Sequence, residues 1–130
     1  MARQPKGTLT PGELRIMKVL WIRGPSTAAD VTEALMRSKV AKNTVLTMLK
    51  ILERKGKITH STEGRSFVYR PLVTEKAARR TMLDDVIGRF FSGSRSALLL
   101  HILEDEQISR DDARRIQDVL ESRRGSKRGI

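Results

Sequence analysis

Apolar positions recur with helical spacing over most of the chain, and with a period of two over one short stretch. The first stripe, Leu14, Ile16, Met17, Val19, Leu20 and Trp21, is broad and stops at Gly24-Pro25. In front of it, Thr10-Pro11-Gly12-Glu13 reads as an N-cap, a proline at the first helical position and a glutamate three residues after the cap, a capping box. Trp21 reads as a core anchor. Ser26 or Thr27 caps a second helix to about Met36, with Val31, Ala34 and Leu35 inward, and Arg37-Ser38-Lys39 makes a short polar connection. The third helix spans Ala41 to Gly56. Its Val45, Met48, Leu49 and Leu52 recur at i, i+3, i+4 and i+7. At about 100° per residue, Asn43, Thr47, Lys50 and Arg54 share the opposite face, with Leu46 on its flank. Arg54 and Lys55 stand in the last turn, and Gly56 is placed as the residue that ends the helix.

After Gly56 the period changes to two. Lys57 to Ser61 alternates, Glu63-Gly64 signals a hairpin turn, and Ser66 to Arg70 alternates again until Pro71. Phe67 and Tyr69, two apart, are expected to face the three-helix core together, and Arg65 beside the turn is held outward. Three helices followed by a hairpin predict a winged helix-turn-helix.

Thr74 caps a longer helix to about Phe91, with Met82, Leu83, Val86, Ile87 and Phe90 as its seam. Ala97 to Leu103 is a short helix apolar on nearly every side, including Leu98, Leu99, Ile102 and Leu103. Ser109 and Asp112 open a last helix to about Glu121, with Ala113, Ile116, Val119 and Leu120 inward. Three such helices are too few for an independent core. Pairing with a second copy through these seam residues gives one core between two chains, so a homodimer is expected. The fold class is therefore mainly α with a small β-wing. Its domains are a winged-helix DNA-binding domain over 1–73, a helical dimerisation domain over 74–122, and a disordered basic tail over 123–130.

Charge separates these regions. The net charge is +11 with a pI near 10.9, which points to a polyanion as partner. Residues 1–73 carry 14 Lys+Arg against 5 Asp+Glu; residues 74–122 carry 8 against 10. The polyanion-binding part is thus the N-terminal one. Lys42, Lys50, Arg54 and Lys55 around the third helix, with Lys57, His60 and Arg65 on the wing, are expected to serve DNA phosphates. With no cysteine, there is no disulfide, thiol nucleophile or thiolate metal site. His60 and His101 have no partner at ligand spacing, the adjacent pairs Asp84-Asp85 and Asp111-Asp112 point to different sides of a helix, and no phosphate-binding glycine loop occurs. Neither an enzyme nor a metal or other cofactor is expected. No apolar run reaches the ~18 residues of a membrane span, so a cytoplasmic protein without membrane insertion is expected.

With these residues in place, the chain resembles the penicillinase-repressor family (BlaI/MecI type) of bacterial transcriptional regulators. The likeness rests on LTPGELRIMKVLW, STAADVTEAL, NTVLTMLKILERKGKI and the wing FVYRPLV, in that order, from about Leu9 to Leu120. It implies a dimeric repressor that binds inverted-repeat operators in double-stranded DNA. By position it assigns base contacts to Asn43, Thr44, Leu46 and Thr47. Two positions depart from the family. Ala41 stands at the cap where relatives often have Ser, a loss of about 1 kcal/mol at that helix end. Leu46 stands where the penicillinase repressors carry Arg, so a guanine fork is replaced by an apolar contact, for instance to a thymine methyl. In the antibiotic-resistance members, a membrane sensor that detects β-lactam triggers cleavage of the C-terminal domain. The matching bond here is His101–Ile102, where those relatives have Asn-Phe. The copper-responsive branch of the family, with its cysteine-rich site, is excluded by the absence of cysteine. Two other readings of the residues stay open: a winged helix that meets an acidic protein partner, and a regulator that senses a small molecule.

Overall fold

The computed structural model describes residues 8–104 and 107–128. The chain forms two compact units, Met1–Val86 and Ile87–Ile130. The division falls inside a helix rather than at the 73/74 boundary expected from the sequence.

In the first unit, α1 (Pro11–Arg23) starts at the predicted capping box. Glu13 N–H donates to Thr10 Oγ1 at 3.1 Å, and Thr10 N–H donates to Glu13 Oε1 at 3.0 Å. Helix α2 (Ala28–Ala34) is capped by Thr27 through a second such box with Asp30. The hydrogen bonds from Thr27 to the exposed Asp30 carboxylate hold its pKa below the usual value. α2 ends earlier than the sequence suggests and continues as a 3-10 turn at Met36–Ser38. Lys39 then takes a left-handed conformation, φ 54°, that turns the chain into α3 (Lys42–Arg54).

Strands β1 (Ile58–Glu63) and β2 (Ser66–Pro71) pair antiparallel around Gly64, whose φ of 65° suits the tight turn. Ser26 exchanges two backbone hydrogen bonds with Tyr69, 3.1 and 2.8 Å, adding a one-residue third strand. The hairpin therefore gains a pairing partner as well as a packing surface. Trp21 fastens its exit, donating Nε1–H to Val73 O at 2.9 Å.

One core serves all these elements. Ile16, Met17 and Leu20 of α1, Val31 and Leu35, Val45, Leu49 and Leu52 of α3, Ile58 of β1 and Tyr69 of β2 are each at most 8% exposed. Burying each of the large side chains contributes about 2 kcal/mol against the entropy of ordering the chain. Met48 packs at the edge of this core beneath Gly12, where a Cβ would lie 2.7 Å from Met48 Cε. Phe67 departs from expectation. Tyr69 is buried, but Phe67 lies further toward the wing tip, beyond the reach of the three-helix core, and is 49% exposed.

Helix α4 (Glu75–Phe90) begins at its Thr74 cap, with Ala77 N–H donating to Thr74 Oγ1 at 3.0 Å. In the second unit, Ser92 and Gly93 both take positive φ and end that helix. Helix α5 (Arg95–Leu103) is capped by Ser94, so it starts at Arg95 rather than Ala97. Helix α6 (Arg110–Arg128) is capped by Ser109. It continues through residues 123–128, where a disordered tail is expected from the sequence; neither a proline nor a glycine run interrupts it there. Ile87, expected at the interface between chains, is 5% exposed within the single chain.

Candidate nucleic-acid interface

The packing of α3 decides which of its side chains can meet a ligand. Val45, Leu49 and Leu52 are fully buried on one side. Asn43, Thr47, Lys50 and Arg54 are exposed on the other, with Lys42 and Thr44 exposed at the start and Leu46 half-buried on the flank. No acidic side chain of α3 shares that face. Lys42, Lys50, Arg54 and, at the wing turn, Arg65 form no hydrogen bond or ion pair among the described residues, so their charges remain unneutralised. Ala41 supplies no side-chain cap, which leaves backbone N–H groups of the first turn facing outward with the positive end of the helix dipole.

Two residues expected at phosphates have other work. Lys55 is only 12% exposed at its side chain; its Nζ lies 2.8 Å from Glu13 Oε1 and 3.3 Å from Thr8 O. Glu13 is itself buried, so this ion pair ties the end of α3 to the start of α1. Because Lys55 is committed to Glu13, it does not belong to the phosphate set. His60 likewise supports the interior of the interface. A carboxylate can only accept, so His60 Nδ1–H donates to Glu53 Oε2 at 2.7 Å. Its ring stacks on Phe67 at 4.3 Å between centroids and lies 5.6 Å from Tyr69. His60 is therefore a strut between α3 and the wing rather than a free cation. Burial, and then the neighbouring Lys55 charge, pull the Lys57 pKa below its usual value.

Neither partnership was visible in the sequence: Glu13 and Lys55 are 42 residues apart, and Glu53 and His60, though only seven apart, lie on a helix and a strand that meet only on folding. The wing has a clasp that was also missed. Arg70 donates to Ser61 Oγ at 2.6 Å and to Glu63 Oε2 at 3.0 Å, crossing from β2 to β1. Cross-strand pairing does not signal it, since in register Arg70 lies opposite Thr59 and Glu63 opposite Ser66.

In the second unit, the expected interface residues Phe90, Leu99, Ile102, Leu103 and Leu120 are exposed, between 38% and 76%, while Leu98 and Ile116 are partly covered. A groove of about 680 Å³ runs between α5 and α6, lined by Leu99, Ile102, Ile108, Ile116, Val119 and Leu120. On α4, Met82 and Leu83 are exposed and Val86 is partly buried. His101 and Ile102 both lie inside α5 and are exposed. The His101 ring also lies 5.9 Å from that of Phe91. Among the described residues no helix is long and apolar enough to cross a membrane.

Comparison with known proteins agrees with this geometry. The family model described as penicillinase repressor matches residues 9–122. The chain is 29% identical over 121 residues to the penicillinase repressor of Bacillus licheniformis, covering 92% of this chain and 94% of that one. It is 33% identical over 119 residues to the transcriptional regulator BlaI of Mycobacterium tuberculosis, covering 88% and 86%. The solution structure of the DNA-binding domain of the repressor BlaI superposes with a TM-score of 0.51 at 32% identity, covering 59% of this chain and 93% of that domain.

Proposed function

We propose, from the premise that this chain belongs to the penicillinase-repressor family, that it works as a homodimer that silences genes by placing two copies of α3 in successive major grooves of an inverted-repeat operator. Members of the family are DNA-binding transcriptional repressors and not enzymes. The observation that carries the finer reading is the division of α3 into a fully buried face and an exposed, acid-free face bearing Asn43, Thr47, Lys50 and Arg54. Asn43, Thr44, Leu46 and Thr47 read base edges near the start of the helix. Lys42, Lys50, Arg54, Lys57 and Arg65 hold phosphates and set register. The apolar surfaces of α4, α5 and α6 join two chains, which fixes the spacing between the two reading helices. The protein acts in the cytoplasm, where its DNA is. Release follows cleavage of His101–Ile102 by a partner membrane sensor. The bond's place within α5 means that helix must open locally before a protease can take it.

Titrating the full chain with duplex DNA across a salt series tests this reading. Lys50→Ala or Arg54→Ala should weaken binding to every duplex and reduce the log–log salt slope by about one per lost phosphate contact. Asn43→Ala should instead lower preference for the operator over random duplex, with the salt slope kept. Equal binding by both kinds of variant would show that α3 is not the reading element.

A further inference from the structure

Resting on the reading of α3 as the helix that meets base edges, we infer that this chain recognises A·T pairs in each half-site. Asn43 forks onto an adenine, while Leu46 and the methyl of Thr47 pack against the 5-methyl of a thymine. Asn43 is exposed, and its carboxamide makes no hydrogen bond among the described residues. It presents a donor and an acceptor side by side, which match N7 and N6–H of adenine in the major groove. Guanine offers two acceptors there and would leave the carboxamide oxygen unpaired.

Thr47, one turn along, is more restricted than its type suggests. Its Oγ1 donates its single hydrogen to Asn43 O at 3.0 Å. Toward DNA it therefore shows lone pairs and a methyl group, and it has no proton to give to guanine O6, guanine N7 or thymine O4. Leu46 on the adjoining flank has no polar atom at all. The cations bracket this group without entering it: Lys42 precedes it, while Lys50 and Arg54 follow in the later turns. A recognition helix contacts bases with its N-terminal residues, and the later turns rise toward the sugar–phosphate backbones. In the first two turns, the face shared by Asn43 and Thr47 thus carries no arginine fork for guanine, and Lys42, the first residue of α3, stands about 100° away from it around the helix.

The test begins by selecting duplexes from a random pool with the full chain, then changing single atoms in the selected site. Adjacent A·T pairs should be enriched in each half-site. Uracil at the critical thymine removes only the 5-methyl and should weaken binding about fourfold, the effect of exposing one methyl group. 7-Deaza-adenine at the critical adenine removes the N7 acceptor and should weaken it about tenfold. Leu46→Ala should show no further loss with the uracil duplex, and Asn43→Ala none with the 7-deaza duplex. Selected sites with G·C at those pairs, or modified duplexes that bind like the parent, would overturn the inference while leaving α3 as the reading helix. A pool in which no sequence is enriched would overturn both the inference and the reading beneath it.

Discussion

The two units of this chain handle apolar surface in opposite ways. In the first, α1, α2, α3 and the hairpin close a core whose members are at most 8% exposed, and the polar side of α3 is left over for a ligand. In the second, α5 contains no buried residue, and large apolar side chains of α5 and α6 line an open groove. A core that is complete can hold a reading surface rigidly. A core that is incomplete asks for a partner, and a second copy supplies the same apolar face with no new sequence.

The largest effect that separates the units should come from Leu49, fully buried in the first. Leu49→Ala should cost about 3 kcal/mol of stability, seen as a lower denaturation midpoint, and should lower DNA binding only through loss of folded protein. Leu120 is 52% exposed and belongs to the second unit. Leu120→Asp should leave the first unit's stability unchanged yet weaken self-association by about 2 kcal/mol, or roughly thirtyfold, in sedimentation across a concentration series. An unchanged association constant would place the interface elsewhere.

The smallest effect concerns the capping box of α2. The Asp30 pKa is lowered on folding by its hydrogen bonds from Thr27, so its contribution is present above the unfolded value of 3.8 and lost as pH falls through the folded value. The melting temperature of the wild type should therefore exceed that of Asp30→Ala at neutral pH, and the gap should close in acid. A gap that persists unchanged below about pH 2.5 would mean that the carboxylate's charge is not what caps the helix.

Local chemistry made the first unit readable in advance. The Thr10–Glu13 box, the stop at Gly24, the two faces of α3 and the turn at Gly64 each depend on residues within a few positions of one another. Pairings between different elements were not readable. Lys55 looked like one more surface cation until folding brought Glu13 to 2.8 Å, and His60 until Glu53 and Phe67 occupied its ring. The Ser26–Tyr69 bridge involves a single residue on one side, too short to leave any alternation in the sequence. Phe67 and Tyr69 share a side of β2, as their spacing requires, but alternation does not say how far along the wing the core extends. In the second unit, helix periodicity was clear while the end of α6 was not, because exposed charged residues support a helix as readily as a solvated tail.

The central claim is that the exposed face of α3 meets DNA and that the second unit joins two such faces. Amide chemical shifts of the labelled full chain, followed while a duplex selected by the protein is added, test it most directly. The largest changes should fall on Asn43, Thr44, Leu46, Thr47 and Lys50, with a second group around Arg65, at one duplex per two chains. Changes centred on α5 and α6, with the start of α3 unaffected, would contradict the account.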